Sequence, residues 1–309
     1  MTAWALFAVL VLAMLAIDLY ASRASRGSRM TTIGAAGLWT VAWVAVGLLF
    51  GAIVLRLYGS DAALTYLTAY VLEKSLSIDN IFVFVLIFSE LRIPSTEQRR
   101  VLYWGVLGAL GVRAALIAGG VYLLARFHWV IYPFAALILL AAARLLAGRK
   151  KEEAAVAAAC AVCGTWVARL IPITSVTHGG RFWVREGGRI VATPLLVAVL
   201  IVETTDLIFA LDSIPAVFAV TREPFLVYTS NVFAMLGLRS LYFVLADAVD
   251  RFQYLRFALA GILLFVGAKL LLGTVLEIPT WISLAVVFAA LALAIAASLL
   301  RPPRRLRFQ

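Results

Sequence analysis

Of the 309 residues, 64% are hydrophobic and only 14% are charged, and the mean hydropathy is +1.02. Soluble domains carry about 45–50% apolar and about 25% charged residues, so a water-soluble globular protein is excluded and the chain reads as a polytopic membrane protein. The net charge of +11 does not point to nucleic acid, because the basic residues lie between the apolar runs, where they set topology.

Apolar runs of about 20 residues, enough to cross a bilayer as a helix, recur from end to end. They predict an all-α fold of about nine transmembrane helices, over residues 3–20, 36–56, 63–89, 101–125, 129–147, 191–220, 228–248, 256–275 and 280–300. Residues 1–10 lack the basic segment of a cleaved leader, so the first run is expected to stay as a span. Basic residues alternate across these spans. One set of connections holds nineteen: Arg23, Arg26 and Arg29, the Arg92–Arg100 group, seven in the long connection, Arg251 and Arg256, and four from Arg301 onward. The opposite set holds Arg56, Arg126 and Arg222 only. Since Lys and Arg concentrate on the cytoplasmic side, the N-terminus is expected outside and the C-terminal tail in the cytoplasm.

A single transmembrane domain, 1–309, is thus expected, its first half (1–147) and second half (191–300) joined by a cytoplasmic loop, 148–190. The loop reads as a linker. Gly187-Gly188 within it predicts a tight turn and a small hairpin. Cys160 and Cys163 form a lone C-x-x-C. A zinc site needs four ligands and no second pair exists, so reduced, unligated thiols are expected.

Two spans carry acids. Span 3 contains Glu73-Lys74-Ser75-Leu76-Ser77-Ile78-Asp79-Asn80, and span 6 contains Glu203-Thr204-Thr205-Asp206 and, further on, Asp212-Ser213-Ile214-Pro215. Ionisable groups in a span cost several kcal/mol unless paired or functional. Ile78-Asp79-Asn80-Ile81-Phe82 resembles Thr205-Asp206-Leu207-Ile208-Phe209. Three spans separate the two copies, so they cross in opposite directions, an inverted repeat of spans 3–5 and 6–8 that would hold a ligand between them. At about 100° per residue, Glu203 and Asp206 share a face, whereas Asp212 lies about 120° from Asp206 and Asp79 about 120° from Glu73. Pro215 denies a hydrogen bond to the carbonyl of Leu211, so a break near 211–215 is expected to re-aim Asp212. Spans 3 and 6 are also longer than needed, as interrupted helices are.

The acids could merely pair with intramembrane cations, for which Lys74, Arg113, Arg239 and Lys269 are candidates. Five acids with Asn80 and several hydroxyls exceed what helix packing needs, and a site is the better reading. Ser230 and Asn231, at the head of span 7, join that site or cap a helix. The donors are all oxygen, which suits Mg²⁺, Ca²⁺ or Mn²⁺ rather than zinc or copper. Clustered acids also make proton exchange chemically available. Lys74, beside Glu73, is expected to stand in for an absent cation.

These motifs, with Ala192-Thr193-Pro194-Leu195, Phe182-Trp183-Val184-Arg185-Glu186 and Tyr228-Thr229-Ser230-Asn231-Val232-Phe233-Ala234-Met235-Leu236-Gly237-Leu238-Arg239, resemble the TerC family of bacterial integral membrane proteins, named for tellurium resistance. The resemblance runs over about residues 3–300. It implies a multi-pass protein of the bacterial inner membrane, in the LysE-type transporter superfamily, several of whose members export manganese. It implies a metal site at Glu73, Asp79, Asn80, Glu203, Asp206 and Asp212. It assigns nothing to Cys160 and Cys163, and the family name does not establish tellurite chemistry.

The function expected is export of a divalent metal cation, most simply Mn²⁺, through a carboxylate site between spans 3 and 6, with no bound cofactor and the lipid bilayer as surroundings. The alternative is a non-transporting membrane partner or scaffold in a tellurite or envelope stress complex, recruiting proteins through the 148–190 loop. An enzyme is not expected, since no nucleophile–base pair or H-E-x-x-H motif lies in the spans.

Overall fold

In a computed structural model, which describes residues 2–24, 33–174, 179–246, 254–273 and 278–300, the chain is helical apart from one two-stranded hairpin. In order come α1 (Thr2–Ala24), α2 (Ile33–Tyr58), α3 (Ser60–Glu90), α4 (Ser95–Arg126), a 3-10 turn at His128–Val130, α5 (Ile131–Ala147), α6 (Arg149–Leu170), β1 (Trp183–Glu186), β2 (Arg189–Ala192), α7 (Pro194–Phe218), α8 (Pro224–Met235), α9 (Leu238–Leu245), α10 (Leu255–Leu272) and α11 (Thr280–Leu300). His178, Arg26, Arg29, Arg251, the residues from Arg301 onward and the ends of the expected spans at 247–248 and 274–275 lie outside the described residues.

Among the described residues, six helices are long and apolar enough to cross a membrane: Gly34–Tyr58, Ser95–Arg126, His128–Ala147, Pro194–Phe218, Leu255–Leu272 and Thr280–Leu300. Three expected spans do not meet that measure. In α1 (Thr2–Ala24) the side chains described, 4–17, are fewer than a span needs. In α3 the apolar run is interrupted by Glu73, Lys74 and Asp79. The third is divided into α8 and α9. Large apolar side chains such as Leu38, Val41, Leu57, Leu293 and Leu299 are exposed, which fits a lipid-facing surface.

The expected helix breaks lie elsewhere. α3 runs unbroken for 31 residues, and α7 continues through Pro215 to Phe218. Pro215 leaves the carbonyl of Leu211 without its usual donor, but α7 ends soon afterwards at Phe218, so only the end of the helix is affected. The sixth span also starts later than expected: β2 takes Arg189–Ala192, and Pro194 opens the helix, its fixed φ being suited to a first turn. The real break comes at Leu236-Gly237, between α8 and α9, where Gly237 has φ 85°. A Cβ there would come within 2.6 Å of Trp43 Cβ. Gly237→Ala combines a left-handed backbone, worth about 1–2 kcal/mol, with overpacking, worth about 1–3 kcal/mol. It should lower the melting temperature of detergent-solubilised protein by several degrees; an unchanged melting curve would refute the strain.

The 148–190 connection is not simply a linker. Arg149–Leu170 is the helix α6, rich in alanine, the best helix former. The predicted hairpin forms: β1 and β2 pair antiparallel, Glu186 opposite Arg189, with Gly187 and Gly188 at φ 56° and 80°. Both thiols are free, Cys160 buried and Cys163 half-buried.

Among the described residues, three large apolar clusters hold the bundle, with a smaller one between α10 and α11. One joins α3, α5, α7 and α10 through residues such as Leu72, Ile138, Val217 and Val266. Another joins α3, α4, α6, α7 and α9 through Phe88, Leu102, Val156, Ile201 and Tyr242. The third seats α1 and α2 on α3 and α8 through Phe7, Phe50, Tyr66 and Phe233. The most extensive pairings are α5 with α10, α4 with α7 and α3 with α8.

Candidate functional site

Arg113, on α4, is the hub. Its guanidinium is 1% exposed and its donors reach three other helices. Nε and Nη2 donate to the two carboxylate oxygens of Asp206 on α7, at 3.2 and 3.1 Å. Nη1 pairs with Glu73 on α3 and donates to Asn231 Oδ1 on α8 at 3.3 Å and Ser213 Oγ on α7 at 3.5 Å. Ser213 Oγ in turn donates to Glu73 at 3.4 Å. Glu73 and Asp206 are 0% and 2% exposed. A planar guanidinium suits such a place, since it stays charged and grips a carboxylate through two parallel bonds.

Beside the hub lies a cavity of about 490 Å³. Its wall carries Glu73, Asp79, Asn80 and Arg113, then Thr205, Asp212 and Ser213, then Arg144 from the end of α5. Val156 and Ala159 of α6 and the α5–α6 bend at Ala147-Gly148 complete it. Asp212 pairs with Arg144 at 3.7 Å, Arg144 itself being well exposed. The helix therefore aims Asp206 and Asp212 at different partners, as an unbroken turn of about 120° between them requires.

Of the six residues expected to form a metal site, five meet here. Asp79, Asn80 and Asp212 line the cavity, Glu73 lines it while bound to Arg113, and Asp206 holds Arg113 from behind. Glu203 does not join them: its carboxylate packs over Gly108 of α4. Among the described residues, no group of three or more His, Cys, Asp or Glu side chains is close enough together to hold a metal ion as the helices stand.

The expected cations divide in an unforeseen way. Lys74 does not stand in for a cation: its Nζ donates to the carbonyls of Ala234 and Leu236 at 2.9 and 3.3 Å, capping the broken end of α8. Lys269 donates to Ser283 at 2.8 Å, and Arg239 lies over the ring of Tyr103. Asn231 joins the hub, whereas Ser230 donates to the carbonyl of Val227 within its own helix. Arg144 is the charged cavity residue that sequence reasoning missed: it lies within the expected span 129–147 and was counted neither with the arginines of the connections nor with the intramembrane cations.

A model of the integral membrane protein TerC family matches residues 58–306. An uncharacterized membrane protein of Myxococcus xanthus, STKORF319, is 46% identical over 298 residues, covering 96% of this chain and 92% of its own. The putative membrane-bound redox modulator Alx of Escherichia coli K12 is 41% identical, covering 94% and 92%. An uncharacterized membrane protein of Rickettsia bellii is 34% identical, covering 96% and 97%. No solved structure matches. The match of most of the chain to the family, and of nearly its full length to these relatives, makes it a member of the TerC family of integral membrane proteins.

Proposed function

We propose that the chain exports a small, hard divalent cation, most simply Mn²⁺, from the cytoplasm. The observation that carries this reading is the cavity on which Asp79, Asn80 and Asp212, from two different helices, converge. Its donors are carboxylate, amide and hydroxyl oxygens, the set that Mg²⁺, Ca²⁺ and Mn²⁺ accept. Four carboxylates (Glu73, Asp79, Asp206, Asp212) face two guanidiniums (Arg113, Arg144).

An inverted repeat of spans 3–5 and 6–8 is supported by the pairing of elements. Glu73 and Asp79 are six apart, as are Asp206 and Asp212, with Asn80 and Ser213 following. If α3, α4 and α5 correspond to α7, α8–α9 and α10, the α3–α8 and α4–α7 contacts are symmetry mates, and α5 against α10 lies on the axis. This register differs from the one the short motif suggests, which aligns Asp79 with Asp206. Such folds place substrate between the repeats. The strong cross-pairing also means that the two sequence halves are interleaved and do not rock apart as blocks. With nine spans and the arginine asymmetry, the α5–α6 end of the cavity faces the cytoplasm, with the N-terminus outside.

A scaffold function resting on a detachable loop is less well supported, because α6 contributes Val156 and Ala159 to the cavity wall. A thiol-based redox function would rest on Cys160 and Cys163. Burial, then the neighbouring Glu90 and Cys163, push the Cys160 thiol up to about 11, whereas reactive cysteines are activated by lowered values. We read Cys160 as a packing residue among Phe88, Ile201 and Val156. Cys160→Ser with Cys163→Ser should leave cation flux within about twofold of wild type; loss of flux would restore the redox reading. Export itself is tested in proteoliposomes with Mn²⁺, Mg²⁺, Ca²⁺ and Zn²⁺ and an internal pH dye. Mn²⁺-driven pH change is expected, and silence to every cation overturns the proposal.

A further inference from the structure

Resting on the export reading, we infer that Arg113 is a built-in counter-ion: it holds the carboxylates of the cavity when no cargo is present and yields part of them to an arriving cation. It thereby restricts the cargo to divalent ions.

The hub is incompletely satisfied on the acceptor side. Glu73 is fully buried and lines the cavity, yet its Oε2 has no hydrogen-bond partner; buried Ser77 Oγ and Asn231 Nδ2 are likewise without one. Buried polar atoms are normally paired, and one purpose of an orphan is to meet a ligand absent from the structure. A purely structural ion pair has no need of this arrangement. It would be closed on both sides, whereas Arg113 holds one Glu73 oxygen and leaves the other buried without a hydrogen-bond partner in a residue that borders the cavity.

A guanidinium held by both oxygens of Asp206 and one of Glu73 is a strong competitor for those acids. An incoming Na⁺ or K⁺ brings one charge and displaces none of it with profit. A divalent ion brings two, enough to share Glu73 while Arg113 stays on Asp206. Arg113 is thus a specificity-determining residue whose charge opposes cargo binding.

Opposition by Arg113 has a sign that a structural role does not share. Arg113→Gln removes the competing charge, so Mn²⁺ should bind at least tenfold more tightly to the purified protein, read from the free-Mn²⁺ paramagnetic resonance signal. Na⁺ should begin to compete with Mn²⁺, and Mn²⁺ efflux should slow because release is hindered. Arg113→Lys, which keeps the charge, should stay near wild type in affinity. Should Arg113→Gln not yield folded protein, Arg113→Gln with Asp206→Asn removes both partners together, and its affinity should exceed that of Asp206→Asn alone. If wild type binds Mn²⁺ but these variants bind it equally or more weakly, the counter-ion inference falls and the export reading stands. If wild type binds no divalent ion, both fall.

Discussion

Asp79→Ala and Asp212→Ala should each abolish Mn²⁺ efflux without lowering the amount of protein in the membrane. Both side chains line the cavity, and Asp212 is paired with the exposed Arg144 at its mouth, so their loss removes a carboxylate from the cavity wall. A divalent ion leaving water must regain its interaction with oxygen and charge. One carboxylate about 4 Å away, at an effective dielectric of about 20, contributes on the order of 4 kcal/mol per unit of cargo charge. Losing it should cut flux by two orders of magnitude or more. In Asp212→Ala the deficit is larger, because Arg144 then faces the cavity without its partner and repels the cargo. Flux into proteoliposomes and manganese tolerance of cells expressing each variant measure the effect. Normal tolerance in both variants, at wild-type protein levels, would remove this cavity from transport.

Lys74→Met should destabilise the protein while leaving its affinity for Mn²⁺ unchanged. Lys74 Nζ satisfies the carbonyls of Ala234 and Leu236, which the break at Gly237 leaves without helical partners. Methionine keeps the apolar stem and removes the donor. Each orphaned buried acceptor costs about 1–3 kcal/mol, so a total of about 2–6 kcal/mol is expected for the two, together with loss of the favourable pairing of a cation with a helix C-terminus. Thermal unfolding in detergent, followed by tryptophan fluorescence, should show a drop of several degrees. An unchanged melting temperature with altered Mn²⁺ binding would return Lys74 to the cation site.

Much of this architecture was legible in the chain. The apolar runs located the helices, Gly187-Gly188 located the hairpin, and Asp79, Asn80 and Asp212 were picked out as acids and amide in apolar surroundings. What could not be read was depth and direction. Arg113 lies in an apolar run with no neighbour in sequence that names its partners; only the packing of α4 on α7 brings it to Asp206. The break at Gly237 had no proline to announce it, and glycine is common in membrane helices. Two misreadings were avoidable. Glu73 and Lys74 are adjacent, hence about 100° apart on a helix, so they were poor candidates for one site. The alanines of α6 are a helix signal that reading the 148–190 connection as a linker leaves unused.

The interleaving of α3, α4 and α5 with α8, α7 and α10 governs how the protein can be made. When the first five helices have left the ribosome, Glu73 and Arg113 can already neutralise one another within the bilayer, so the nascent half carries no net charge at that point. Asp206 and Asp212 must then enter together, into a groove whose walls were built long before. The principal contacts are therefore long-range in sequence, and assembly cannot be completed until α10 has been synthesised. A ribosome stalled before α10 would leave an inserted but unlocked intermediate, a natural substrate for membrane quality control.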